Sequence, residues 1–354
     1  MWKSAIATTS LVLLYAPQML AQTSIQQQVS GRQTKQVQIL AQSSSSAPVC
    51  QSQLTGTVNR IVRRIPGVTW GVLVQTQAAG NRQNLYAWNP INLMIPASNN
   101  KVLTTAAALQ RLGSQFKMRT VVTGNSAGSS LSTLRIIGQG DPSLKTVHMN
   151  TLAQQLRQRG IRQVGLLIGD DTYFRGAATN PNWDPEDTLR GYGAPVNSLM
   201  LNQNSIGLTL YPQRLNQPLR IQWDDPTDAQ DWRLSNQTVT VAANRGESAD
   251  AYRSRTQRLV YVEGQLRVGS ASELVAASIN NPGNYLVQKF RNALTTNGIT
   301  VNQSTVVTST PAPPGEVELA FIESPPLSVL LKETNQESNN TYAEALLKTV
   351  GKAL

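Results

Sequence analysis

One cysteine and one histidine in 354 residues, Cys50 and His148, restrict what this chain can fold into more than any other feature. No intramolecular disulfide, multi-cysteine zinc site or His-rich metal centre can form. Stability must therefore come from packed apolar cores, and a hydrophobic fraction of 40% is enough to supply them. At roughly 100–200 residues per domain the chain has room for two or three. Any Ser-His-Asp triad hangs on His148 alone, which reads as a residue of a polar loop. Gly-x-Gly-x-x-Gly and Gly-x-x-x-x-Gly-Lys-Ser/Thr are both absent, which argues against the common nucleotide enzymes.

Charge and the N-terminal residues bear on compartment. An excess of 31 Lys and Arg over 20 Asp and Glu gives a net charge of +11. Such a chain either favours anionic surroundings, such as lipid head groups or acidic wall polymers, or keeps its arginines in water. No basic run carries interleaved aromatics, so nucleic acid is not an expected partner. Lys3, the apolar residues 5–16 and the small Ala21 before Gln22 describe a secretory signal peptide, residues 1–21. That stretch is short for a membrane span of about 20 residues, an uncleaved anchor being the alternative, and no later segment could span. The expected location is exported, in periplasm or cell wall. Residues 22–48, rich in Gln and Ser, read as a flexible linker, and Cys50 as a buried or idle thiol.

Beyond the linker the texture is mixed α/β. Leu54, Val58, Ile61, Val62 and Ile65 keep the 3.6-residue rhythm of a one-faced helix. Trp70, Val72 and Val74 alternate as a strand does, with residues 85–88 as a hairpin partner. Val102, Leu103, Ala106, Ala107, Leu109 and Leu112 form a second helical pattern, with Pro96 near its start and Gly113 at its end. Residues 134–137 and 164–168 read as strands, 152–160 and 285–298 as helices, and 200–270 as strands and turns. There is no internal repeat.

Chemistry concentrates at the start of the second helix. Ser98-Asn99-Asn100-Lys101 places a hydroxyl and an amine three residues apart, on one face of the first turn. A helix N-terminus disfavours an ammonium and favours an oxyanion, which pushes the lysine towards acting as a base. The spacing alone is cheap: Ser114-Gln115-Phe116-Lys117 repeats it, and a helix cap followed by a solvated lysine would look the same. Context has to discriminate.

That context is a series of runs: Leu85-Tyr86-Ala87-Trp88-Asn89-Pro90, Gly138-Gln139-Gly140-Asp141-Pro142, Tyr192-Gly193-Ala194-Pro195-Val196, and Ser338-Asn339-Asn340-Thr341-Tyr342. With Ser98-x-x-Lys101 they resemble the penicillin-recognising serine enzymes. Within that group the chain is similar to the D-alanyl-D-alanine carboxypeptidase/endopeptidase family, the S13 or penicillin-binding protein 4 type. The resemblance covers about residues 54–354. Ser98 and Ser338 lie 240 positions apart, which implies the large insertion of that family.

The resemblance implies roles. Ser98 attacks a D-Ala-D-Ala peptide carbonyl to form an acyl-enzyme, Lys101 takes its proton, Ser338 relays a proton to the leaving amine, and Asn340 binds substrate. Asp187 and Tyr192 match a carboxylate and an aromatic that reach over the cleft, with Asp184 and Glu186 as rivals and a solvated acidic loop as the bland alternative. Ser338-x-Asn340 could also be a plain helix start, since Ser278-Ile279-Asn280 has the same form. The implied partners are peptidoglycan stem peptides, with β-lactams as covalent inhibitors; no metal and no organic cofactor is expected.

One family feature is missing. No Lys-Thr-Gly or Lys-Ser-Gly occurs; Lys348-Thr349-Val350-Gly351 is a near miss, and its helical spacing marks Lys348 as a helical surface residue. In the family the third motif supplies part of the oxyanion hole, so the chain reads as truncated before it. The expected architecture is an α/β (α+β) transpeptidase-like domain, incomplete, formed by residues 49–117 and 310–354 and split by a β-rich insertion, 118–309. The leading expectation is an exported serine D,D-peptidase. A catalytically idle wall-binding or penicillin-binding remnant is the alternative, and a β-lactamase the third choice.

Overall fold

The computed structural model describes residues 50–64, 67–76, 80–125, 128–309 and 312–354. The signal peptide and linker read over residues 1–48 lie outside them. The chain divides into two compact units, whose described residues fall within 50–99 and 100–354.

In the first unit the one-faced periodicity becomes helix α1, Gln51–Val62. Strands β1, Val72–Gln75, and β2, Asn84–Trp88, pair antiparallel with Val72 opposite Trp88. Buried Tyr86 ties this hairpin to α1, its hydroxyl donating to Asn59 Oδ1 at 2.8 Å. Cys50 is exposed rather than buried, because it only leads into α1. After β2 the chain leaves Ile91, Leu93 and Ile95 open to solvent.

The second unit begins with α2, Asn100–Leu112, which ends at Gly113 with φ +81. Its main sheet has five strands: β3, Arg119–Gly124; β4, Ser130–Gly138; β5, Gln163–Asp170; β12, Thr300–Val307; and β13, Val317–Glu323. Their order is β12-β5-β4-β3-β13, with β4, β5 and β12 parallel. Parallel neighbours need long crossovers. Helix α3, Thr146–Gln158, supplies one, and the chain through α4, Pro282–Thr296, leads into β12. Met149, Leu152 and Leu156 of α3 and Phe290 and Leu294 of α4 join Leu134, Ile136 and Leu167 of the sheet in one core.

The same core runs on beneath two three-stranded sheets. One contains β6, Ser205–Tyr211, β7, Arg220–Trp223, and β11, Glu273–Ser278. The other contains β8, Arg233–Val241, β9, Ser248–Arg253, and β10, Leu259–Arg267. A buried ion cluster stitches these parts together. Lys289 of α4 meets Asp225 at 3.1 Å and Asp228 at 2.7 Å, and the Tyr285 hydroxyl donates to Asp228 at 3.1 Å.

Two last helices, α5, Leu327–Gln336, and α6, Asn340–Ala353, close a separate core with α2. Ala108, Met118, Leu327, Leu330, Tyr342 and Leu346 fill it. His148 departs from the sequence reading: it lies in the first turn of α3, where its Nδ1 accepts from the Lys145 amide at 3.0 Å.

Candidate active site

On α2 the buried residues are Lys101, Thr105 and Ala108, spaced four and three apart, so they share the face turned to α5 and α6. Lys101 is therefore drawn inward with the core and is only 8% exposed. Burial pushes its ammonium below the usual lysine range, towards the neutral amine a base requires. Thr105 continues the face. Its hydroxyl donates to the Lys101 carbonyl at 2.8 Å, and Asn335 of α5 donates to that hydroxyl at 3.2 Å.

Ser98 precedes this helix in a 3-10 turn, Ala97–Asn99, closed by the Asn99 amide on the Pro96 carbonyl at 2.9 Å. It belongs to the first unit and is half-buried. Ala97 is held at φ +45, a left-handed conformation that an alanine rarely adopts. Ser338 has a similar backbone, φ +53, at the junction between α5 and α6. Glycine is the usual residue at such a helix end. A serine kept there stores strain of order 1–3 kcal/mol, as functional sites often do.

Asn339 caps α6, its Oδ1 accepting from the Tyr342 amide at 3.2 Å. Gln203, itself left-handed at φ +57, braces that cap by accepting from Asn339 Nδ2 at 2.8 Å and the Thr341 hydroxyl at 3.1 Å. This residue went unnoticed in the sequence; no local pattern points to it, because the contact spans more than a hundred positions.

From the cap, Asn340 reaches both ways. Lys101 Nζ donates to its Oδ1 at 2.6 Å across 239 positions of sequence. Its own Nδ2 donates to the Tyr192 carbonyl at 3.1 Å. The Tyr192 hydroxyl in turn donates to Asp187 Oδ1 at 2.7 Å. Desolvation, then the hydrogen bond and charge of Asp187, raise the Tyr192 phenol well above its usual value, so it stays a protonated donor. Four of the six sequence candidates, Lys101, Asn340, Tyr192 and Asp187, thus form one hydrogen-bonded chain. The rivals of Asp187 are engaged elsewhere: Glu186 pairs with Arg255 at 2.6 Å, and Asp184 accepts from the Glu186 amide at 2.9 Å.

The Gly138–Leu144 run is structural. A Cβ on Gly140, at φ +75, would lie 2.2 Å from the Phe174 ring. That absence lets the Gly140 amide reach the Ser198 carbonyl at 2.8 Å. Buried Asp141 then closes the turn, accepting from the Ser143 amide at 2.8 Å and its hydroxyl at 2.6 Å.

Mixed α/β layers of this order, with Lys101 turned inward from α2, are those of a transpeptidase-like fold. The model of the D-Ala-D-Ala carboxypeptidase 3 (S13) family matches residues 52–354, and the chain belongs to that family. A D-alanyl-D-alanine carboxypeptidase of Actinomadura sp. (strain R39) is 30% identical over 299 residues, 81% of this chain and 55% of the relative. The penicillin-sensitive carboxypeptidase A of Dictyostelium discoideum is 25% identical over 305 residues, 80% of this chain and 58% of that protein. The chain thus spans a little over half the length of these relatives.

Penicillin-binding protein 4 (dacB) of Haemophilus influenzae shares the fold, with a TM-score of 0.66 at 22% identity over 83% of this chain and 65% of that one. A second structure of that protein, in complex with a β-lactam, has a TM-score of 0.58 at 21% identity, over 82% of this chain and 62% of that one.

Proposed function

We propose that this chain carries the acyl-transfer machinery of an exported, penicillin-sensitive serine D-Ala-D-Ala carboxypeptidase/endopeptidase acting on peptidoglycan peptides. The observation that carries the reading is the hydrogen bond from a buried, pKa-depressed Lys101 to Asn340, which joins two motifs 239 positions apart. Membership of the S13 family and the names of the relatives support it. The β-lactam complex of the Haemophilus protein supports a penicillin as the probe.

In this reading the Ser98 oxygen attacks the carbonyl carbon between the two D-alanines while Lys101, as the neutral amine, takes the hydroxyl proton. The C–N bond breaks, and the leaving amine receives a proton through Ser338. Water then hydrolyses the Ser98 ester by the same route in reverse. Asn340 orients the peptide, and Asp187 with Tyr192 contacts its amino side chain. Location in periplasm or cell wall belongs to the same proposal; among the described residues no helix is long and apolar enough to cross a membrane.

The test is incubation with a fluorescent penicillin alongside Ser98→Ala, followed by denaturing gel and intact mass. A covalent adduct lost in Ser98→Ala is expected. No adduct in protein shown to be folded would defeat this reading.

A further inference from the structure

Lys348-Thr349-Val350-Gly351 is the motif-like run that the proposed chemistry leaves without a task. It is helical, as its spacing implies, but Lys348 is half-buried. A surface lysine normally swings its flexible stem to keep the ammonium in water. This one gives two of its donors to main-chain carbonyls, Ala177 at 2.8 Å and Val196 at 2.7 Å. Desolvation lowers its pKa. The Val196 amide donates to the Ala178 carbonyl at 2.7 Å, so the two ends of residues 178–196 meet where Lys348 is bound. The loop between those ends carries Asp187 and Tyr192.

Asn340, Glu344 and Lys348 stand at i, i+4 and i+8, one stripe of α6, and all three meet this loop. Asn340 donates to the Tyr192 carbonyl at 3.1 Å, Glu344 accepts from Asn180 at 3.5 Å, and Lys348 spans the neck. Beside the stripe, Ala345 packs with Val196, Met200 and Phe174. Eight residues at about 1.5 Å each place Lys348 about 12 Å along the axis from Asn340. The far side of the loop has its own anchors, Arg190 on Asp250 at 2.6 Å and the Ser278 hydroxyl on the Thr188 carbonyl at 2.6 Å.

We propose that Lys348 is a positioning residue: its ammonium staples the neck of loop 178–196 to α6 and so fixes the register in which Asn340 bridges Lys101 and Tyr192. The inference rests on the acyl-transfer reading above, and its test separates the two. Lys348→Met and Lys348→Arg are compared with the full chain by hydrogen exchange and by penicillin acylation. In Lys348→Met, amides of residues 177–180, 194, 196 and 340–350 exchange on the order of tenfold faster, while the five-stranded sheet and the Arg190 side of the loop are unchanged. The limiting acylation rate falls by about the same factor with little change in apparent penicillin affinity, and Lys348→Arg, which can still donate to both carbonyls, recovers both.

Unchanged exchange at the neck and α6 overturns the staple, whether or not the protein acylates. Faster exchange with an unchanged acylation rate overturns its positioning role. Absence of an adduct in the unmutated protein defeats the serine reading, while the exchange arm still decides the staple. Should Lys348→Met fail to fold, Lys348→Gln, which keeps an amide donor on a shorter stem, carries the same two readouts.

Discussion

Replacing Asn340 by aspartate tests the contact on which the site depends, because it changes charge without changing shape. The new carboxylate would stand where Oδ1 now lies, 2.6 Å from Lys101 Nζ. Coulomb's law at an effective dielectric of about 20 gives roughly 6 kcal/mol for unit charges that close. That is an upper bound, since the amide hydrogen bond it replaces is lost and Asn340 is half-buried and screened. Opposite charges at such range shift a lysine by about 1–3 pH units, each worth about 1.4 kcal/mol.

Lys101 now titrates below the ordinary lysine range because it is desolvated. The folded state therefore binds that proton less tightly than the unfolded chain does. The protonated lysine costs stability, and the cost is relieved as pH rises from the lowered value towards 10.5. Asn340→Asp reverses this, raising the folded value and holding the ammonium.

If the neutral amine is the base, the acid limb of the penicillin acylation rate moves to higher pH by about 1–3 units, and the rate below the midpoint falls about 10- to 1000-fold. Stopped-flow acylation across that limb reads both quantities, and NMR of the lysine ε-carbons reads the titration without any substrate. A rate that falls with an unmoved midpoint would refute the reasoning, leaving Asn340 a substrate contact only. An unmoved lysine titration would refute the electrostatic coupling itself.

Other substitutions probe other parts. Asp187→Ala removes the partner of the Tyr192 hydroxyl; hydrolysis of a peptide bearing a free side-chain amine is expected to drop about tenfold or more, with penicillin acylation changed by less than about threefold. Gly140→Ala drives a Cβ into the Phe174 ring at φ +75, so a loss of about 1–3 kcal/mol or more is expected in urea unfolding. Lys289→Met leaves buried Asp228 and half-buried Asp225 without their cation, which should cost about 3–5 kcal/mol and appear as a lower calorimetric Tm; an unchanged Tm would mean the cluster is neutral in the fold.

Much of the fold was legible where one periodicity ran uninterrupted. The helices around Val58, Leu109 and Leu346 and the β1–β2 hairpin lie where their apolar spacing put them. Strand β12 escaped notice because most of its residues face solvent and offer no alternation. Edge strand β13 pairs only with β3, antiparallel and some two hundred positions away, and no local pattern carries such a partner. The boundary read at residue 309 falls between β12 and β13, which belong to one sheet.

For the candidate site, the family resemblance picked out Lys101 and Asn340, which the structure joins. It put Asp187 first with Asp184 and Glu186 as rivals, and sequence alone does not show which carboxylate accepts from the Tyr192 hydroxyl. Lys348 shows the same limit: its helix was readable, whereas the two carbonyls that draw it inward were not.

The open stretch after β2 has a consequence for the protein as a colloid. Ile91, Leu93 and Ile95 are 90%, 101% and 92% exposed, beside a sheet of only two strands. Such a surface invites contact between copies, and the net charge of +11 opposes it by mutual repulsion. Repulsion reaches about 10 Å at 0.1 M salt but only about 3 Å at 1 M. Added salt should therefore turn a dispersed solution into an associating one, and light scattering over a salt series would follow the change.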